Sequence, residues 1–400
     1  MEWRIEMYNE LKTPCFIIDE SELKDNIENL HEALKRTWNN YIIGYSYKTN
    51  SLPWIINYIK NMKCYAEVVS DCEYMLAKRI GYNEKNIIFN GPNKGKDIFI
   101  KALKNGSIIN IDSFREISWL EEEQFEFEMK IGIRINFDLE NKCPNETAMG
   151  CEGGRFGFSL ETNEFNEAIC RVNNIKNVKV VGIHMHNSTK TRSLNIYREL
   201  AKKACELSKL FNYDLEYIDI GGGFFGGLPT KPSYYEYMST ITEVLKTSFD
   251  KNKTKLIIEP GASIIASPIS FLCDVIDIKN TYANRIVTIN GSRNNIDPLM
   301  NKSNYLYEII SCNKNKMIIE KQVIAGYTCM ENDRLMKLIN KAELEVGDKI
   351  LFNKVGSYTM CLSPLFIEYF PIVYLKGMDK SYKCVREAWG VEEYFQKSYI

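Results

Sequence analysis

A lysine, a run of glycines and a glutamate stand where this 400-residue chain could use them together. In "YIIGYSYKTNS", Lys48 follows the Tyr- and Ile-rich run Tyr41–Tyr47, so an ammonium group sits at the edge of a strand that reads as buried. An amine fixed there can condense with a carbonyl carbon. "IDIGGGFFGG" sets Gly221, Gly222 and Gly223 directly after another such run, and backbone N–H groups without side chains around them approach an anion closely. "IIEPGAS" adds Glu259 and a second small-residue turn, Gly261, Ala262 and Ser263. A carboxylate at the end of a buried run is costly without a partner, so Glu259 calls for one.

The elements that must hold these groups repeat. Strand-like runs recur at Tyr41–Tyr47, Cys64–Ser70, Asn86–Gly91, Ser107–Ser113, Lys130–Phe137, Val178–His186, Leu215–Gly223 and Lys255–Gly261. Amphipathic stretches such as "CEYMLAKRIGY" and "IYRELAKKACELSKLF" lie between them, and "LPWIINYIKNM" reads as a helix opening at Pro53. Eight βα units in roughly 240 residues are the alternation and size of a (β/α)8 TIM barrel. In such barrels the C-terminal strand ends carry the chemistry. Lys48, Arg134, Asn136, His186, Gly221–Gly223 and Glu259 all fall there, and among them the lysine, the glycine cradle and the carboxylate are the parts that would hold pyridoxal phosphate. The lysine would form the Schiff base, the glycines would grip the phosphate, and the carboxylate would keep the ring nitrogen protonated.

After Ser267 the texture changes to short runs ("FLCDVIDIKN", "NRIVTING", "KMIIEKQVIAG", "DKILFNKVGSY") split by Asn, Gly and Asp turns. The expected organisation is a barrel over 26–267 and a mostly-β domain built from 1–25 and 268–400, with "PCFIIDE" adding an N-terminal strand to it. A formal net charge of −1 argues against a nucleic-acid partner, and no apolar run reaches membrane-helix length. The charged start "MEWRIEMYNE" has no signal-peptide core, which points to the cytoplasm. The twelve cysteines are scattered without a CxxC pair, and with only His31, His184 and His186 a metal site is not expected.

The ordered set of motifs resembles the fold-type III pyridoxal-phosphate decarboxylases, the diaminopimelate/ornithine decarboxylase group with its alanine-racemase-like barrel. "YSYKTNS" is similar to the family's "YAVKANS", "YAEVVSDCEY" to "ADVVSGGEL" with Glu67 for Asp, and "HNST" to "HxGS". "IIFNGPNKG", "NIDS", "IDIGGGF" and "EPG" recur in place. The resemblance implies Lys48 as the Schiff-base lysine and His186 as the residue stacked on the cofactor ring. Ser188, Thr189 and Gly221–Gly223 then lie near the phosphate, with Glu67, Arg134, Glu259, Gly261 and Ala262 around the cofactor. "CMEND" resembles the segment whose cysteine crosses a homodimer interface, and "GSY" resembles "GAY" with its phosphate-binding tyrosine. Cys329, or a water beside it, is then the general acid that protonates the carbanion, and Tyr358 a phosphate ligand.

Departures bear on the substrate. Ala262 replaces the arginine of "EPGR", Asp297 in "INGSRNNIDPLM" replaces the arginine of "RPALY", and Met330 follows the cysteine where relatives carry an acid. Arg293, Glu331, Asp333 and Arg334 are nearby charged substitutes; Arg293, Met330 and Asp333 are the expected substrate residues. The expected activity is decarboxylation of an unusual amino acid, small or tethered to a carrier or sugar. A racemase or epimerase on the same cofactor, and a non-catalytic binding protein of the same fold, are the rival readings; Glu259 and Cys329 favour decarboxylation.

Overall fold

A computed structural model describes residues 7–313 and 315–399, which divide into two compact units, 26–264 and 1–25 with 265–400. In the first unit eight parallel strands close on themselves. They are β2 (Tyr41–Ser46), β3 (Tyr65–Ser70), β4 (Ile87–Asn93), β5 (Ile108–Ile111), β6 (Met129–Asn136), β8 (Val178–His184), β9 (Tyr217–Asp219) and β10 (Lys255–Ile258). Pairing runs in chain order, and β10 returns to β2 through Leu256 opposite Tyr41, which completes the barrel. A two-residue strand, β7 (Phe158–Ser159), adds to the outer end of β6.

The helices form where amphipathic spacing and end signals agree. They are α2 (Pro53–Asn61), α3 (Asp71–Ile80), α4 (Lys96–Lys104), α5 (Phe114–Glu121), α6 (Glu164–Asn173), α7 (Leu194–Ser208) and α8 (Tyr234–Leu245). Pro53 sits at the start of α2, where its missing N–H costs nothing. Ser70 caps α3, and Gly81 ends it in the left-handed region. A reciprocal Ser233–Glu236 capping box opens α8. The alternation falters at the eighth unit, where β10 is followed only by the single turn α9 (Ala262–Ile265). The 18-residue α1 (Glu20–Thr37) instead precedes β2, and from Asn26 onward it borders the 225–236 segment that leads into α8. It occupies the place of an eighth helix.

The second unit is a nine-stranded mixed sheet in the order β15-β14-β12-β11-β1-β17-β18, with β16 on β11 and β13 on β16. Its strands are β1 (Cys15–Asp19), β11 (Ile269–Asn280), β12 (Arg285–Ile289), β13 (Leu306–Ile310), β14 (Ile318–Ala325), β15 (Arg334–Ala342), β16 (Lys349–Asn353), β17 (Ile372–Lys376) and β18 (Tyr382–Arg386). The N-terminal run "PCFIIDE" does join this domain, as β1 between β11 and β17. Four of these strands, β13, β15, β17 and β18, lie outside the runs that the sequence pattern picks out. No helix among the described residues is long and apolar enough to cross a membrane.

Candidate active site

The barrel strands are apolar outward and polar toward their C-terminal ends inside. Ser46, Glu67, Asn90, Asn110, His184, Asp219 and Glu259 are all buried. Lys48 lies in a 3-10 turn (Tyr47–Thr49) just past β2, and its Nζ donates to Glu67 Oε2 at 2.7 Å. Ser46 Oγ donates to the same oxygen at 2.6 Å. Glu67 Oε1 accepts from Asn90 Nδ2 at 3.1 Å, and Asn90 Nδ2 also donates to Glu259 Oε1 at 2.5 Å. One line of hydrogen bonds therefore joins the first strand's lysine to the eighth strand's carboxylate.

Burial pushes the Glu259 carboxyl up, but His184, Lys48 and a hydrogen bond from Asp219 outweigh it and hold it well below the usual carboxylate range. Asp219 goes the other way: burial and the adjacent Glu259 charge raise it far above its usual range. Of the two acids, Asp219 carries the proton and Glu259 is the carboxylate.

His186 follows β8 and meets the glycine loop, its Nδ1 accepting from Gly222 N at 3.3 Å. The backbone here tolerates no side chain. A Cβ on Gly222 would stand 2.0 Å from Glu259 O, and Gly221 has φ +71 with His186 Nδ1 only 2.5 Å from its would-be Cβ. Though His186 keeps some exposed surface, desolvation and the charges of Arg134, Lys48 and His184 bring its pKa down to about 3, offset in part by Glu259. The imidazole is neutral at pH 7. An unfolded chain would protonate it below ~6.5 and the folded chain only near 3, so folding stability is lost as pH falls through that window. In cofactor-free protein, the urea midpoint of His186→Asn should accordingly decline less than wild type between pH 7 and pH 4. Equal declines would contradict a neutral His186.

Arg134 points from β6 toward Asp112 Oδ1, 3.3 Å away, with its guanidinium 4.6 Å from the Phe156 ring centroid; its buried Nε has no hydrogen-bond partner among the described residues. Arg134 and His186 line a cavity of about 280 Å³ together with Met149, Phe156 and Ser188. Ser188 and Thr189 are tied to the preceding loop, where Ser188 O accepts from Ala148 N and Thr189 bridges Thr147. Gly261 is buried with Thr49 Oγ1 2.1 Å from its would-be Cβ, and Ala262 opens α9.

The remaining expected site residues belong to the second unit. Cys329 and Tyr358 are exposed, and Tyr358 has φ +55. Asp333 gathers the substrate candidates through the backbone. It accepts from Arg293 N at 3.0 Å, Ser292 Oγ at 2.9 Å and Thr328 Oγ1 at 2.7 Å, and its own N–H reaches Met330 O at 3.0 Å. Arg293 Nη2 is held 2.6 Å from Asp297 Oδ2, which also accepts from Lys302 N and Tyr305 OH. Glu331 and Arg334 pair with each other at 3.0 Å.

Asn90, Asn110, Asp112, His184 and Asp219 were not singled out from the sequence. Their signal was present inside quoted motifs, as polar residues on alternate positions of otherwise apolar runs.

The barrel matches the family model "Pyridoxal-dependent decarboxylase, pyridoxal binding domain" over residues 24–266, more than half the chain. The chain belongs to the pyridoxal-dependent decarboxylases. It is 28% identical over 378 residues to the diaminopimelate decarboxylase of Methanocaldococcus jannaschii, covering 90% of this chain and 85% of that one. Against the Helicobacter pylori (strain 26695) diaminopimelate decarboxylase it is 25% identical over 397 residues, 97% and 96% of the two chains. The solved M. jannaschii structure shares its fold at TM-score 0.87 and 24% identity, covering 99% of this chain and 94% of that one. The arginine decarboxylase of Paramecium bursaria Chlorella virus shares it at TM-score 0.77 and 19% identity, covering 94% and 99%.

The residues present fit the cofactor. The decarboxylase offers an amine at the rim, a glycine loop in which a Cβ would clash, a buried carboxylate, and an arginine whose buried Nε has no partner among the described residues. When bound, pyridoxal phosphate supplies an aldehyde to amines and a ring that takes up electrons released at the α-carbon.

Proposed function

We propose that this amino-acid decarboxylase acts on a substrate other than standard diaminopimelate, small or held on a carrier or sugar, as a cytoplasmic homodimer. The observation that carries the site assignment is the hydrogen-bond line Lys48–Glu67–Asn90–Glu259. In this reading Glu67 and Ser46 hold the Lys48 amine at the rim, where it would hold the cofactor through its aldehyde. Glu259 would keep a proton on the ring nitrogen, and so favour loss of the substrate carboxylate. Neutral His186 covers one ring face without adding charge. Backbone N–H groups of Gly221–Gly223, with Ser188, Thr189, the Gly261–Ala262 turn and Tyr358, bind phosphate, and Arg134 steadies the cofactor's edge.

Cys329 delivers the proton that replaces the departed carboxylate at the α-carbon. Its exposure, like that of Tyr358, suits residues completed by a second copy of the chain. Cytoplasmic residence is supported by the free cysteines.

The substrate proposal rests on Ala262 and on Asp297, whose carboxylate is consumed by Arg293 and the following turn. Arg293 thus places a guanidinium four residues before the position the family resemblance assigns to one, with a buried Nε that has no hydrogen-bond partner among the described residues. Met330 gives the distal end an apolar neighbour, and Asp333 acts by fixing the turn that carries both.

Product mass spectrometry in heavy water, with the cofactor and a panel of free α-amino acids, tests this. Loss of carbon dioxide with one deuterium gained at the α-carbon is expected for an amino acid other than diaminopimelate. Efficient turnover of diaminopimelate would overturn the substrate reading, and deuterium gain with the carboxylate retained would overturn the roles given to Glu259 and Cys329.

A further inference from the structure

Beneath Glu259 the barrel holds a buried polar cluster for which the cofactor's own contacts give no reason. His184, Asp219 and Glu259 place one ligand-type atom each within 4.8 Å of one another. His184 Nε2 stands 3.5 Å from Glu259 Oε2, and neither ring nitrogen of His184 has a hydrogen-bond partner among the described residues. Such a trio resembles a metal set, but three of the four carboxylate oxygens already accept hydrogen bonds. Glu259 Oε1 accepts from Asn90 and Oε2 faces His184; Asp219 Oδ1 accepts from Gly221 N at 2.9 Å and Oδ2 from Asn110 Nδ2 at 3.3 Å.

Asn110 is itself fixed, accepting from Tyr217 OH at 2.8 Å and donating to Asn90 Oδ1 at 2.9 Å. Tyr217 fills the barrel axis below, where a Cβ on Gly182 would lie 2.2 Å from its ring. The cluster is thus braced from β4, β5 and β9 and closed from beneath.

We infer that Asp219 and His184 are positioning residues, whose job is to hold Glu259 ionised and aimed at the cofactor's ring nitrogen; this rests on the reading that Glu259 meets that nitrogen. Asp219 keeps its proton and donates it as a hydrogen bond to the Glu259 carboxylate. Two adjacent buried acids cannot both ionise, so one must be the donor. The backbone N–H of Gly221 and the amide of Asn110 fix which way Asp219 turns. The charged and titratable groups facing Glu259 are Lys48, His184, His186 and Asp219, with Glu67 reached through Asn90 and Tyr217 below Asp219.

The test is the ¹⁵N chemical shift of ring-labelled pyridoxal phosphate in the holoenzyme without substrate, followed from pH 5 to 9. Wild type should stay protonated throughout, and Glu259→Gln should lose the proton. Asp219→Val and His184→Leu should bring the ring-nitrogen titration inside that window, with kcat down about 10–100-fold, as when a ligand's supporting partner is removed. Asp219→Asn keeps a neutral donor and should restore wild-type behaviour.

If Glu259→Gln moves the shift but Asp219→Val and His184→Leu leave it as in wild type, even with lowered melting temperature, the two residues are merely structural and the inference fails. If Asp219→Asn behaves like Asp219→Val, the donated proton is wrong. If Glu259→Gln leaves the shift unmoved, the underlying reading fails instead. Should Asp219→Val not fold, His184→Leu decides.

Discussion

Lys48→Ala protein should fold, melt within a few degrees of wild type, and release carbon dioxide on the order of 10⁴-fold more slowly or worse, as loss of a primary catalytic group does elsewhere. The reason for intact folding is local. The Lys48 side chain is 39% exposed, so its removal opens no cavity. Glu67, although buried, keeps the Ser46 hydroxyl at 2.6 Å and the Asn90 amide at 3.1 Å as donors. The reason for lost turnover is that, among the described residues, Lys48 is the lysine hydrogen-bonded into the Glu67–Asn90–Glu259 line. Initial rates beside the visible absorbance of bound cofactor measure both. A Lys48→Ala enzyme with wild-type rates would end the assignment.

The largest stability effect should come from a pair away from the cofactor. Lys94 and Glu116 are fully buried and 3.0 Å apart. Lys94 Nζ also reaches Gly91 O at 2.8 Å and Asn110 O at 3.1 Å, while Glu116 Oε2 accepts from Asp112 N at 2.6 Å. Burial pushes Glu116 up and Lys94 pulls it back. Lys94→Met leaves a buried carboxylate without its cation and two carbonyls without a donor, a loss of about 3–5 kcal/mol. For a domain of this size that lowers the melting temperature by about 10 °C. Pairing it with Glu116→Leu should recover much of the loss, because the stranded charge goes too. Asp112 is the residue that holds Arg134, so the single variant should also bind cofactor less tightly. Calorimetry of both variants checks this; equal melting temperatures for wild type and Lys94→Met would refute it.

The sequence carried the barrel well, because strand runs and helix caps are local signals. Lys48, His186, Gly221–Gly223 and Glu259 were legible for the same reason: each breaks an apolar run at its end. Asn90, Asn110, His184 and Asp219 were not. They sit inside the runs, and only closure of the sheet turns them toward a common axis. The substitution of α1 for an eighth helix is also a matter of closure, since nothing in "ESELKDNIENLHEALKRT" says which gap it fills. In the second unit, strands such as β15, "RLMKLINKA", alternate Lys and Arg with apolar residues on a partly exposed surface and give a weak pattern.

The position of β1 governs the order in which a ribosome can finish this molecule. Its buried residues Cys15, Phe16, Ile17 and Ile18 lie in the middle of the second sheet, antiparallel to β11 and parallel to β17. Lys376, which pairs with Asp19, emerges from the ribosome 357 residues after it. At about 5–20 residues per second this is a wait of roughly 20–70 s. β11 can cover one edge of β1 about 100 residues earlier, so it is the edge facing β17 that stays open through the whole of it. The second sheet therefore closes around β1 only once β17 has been made.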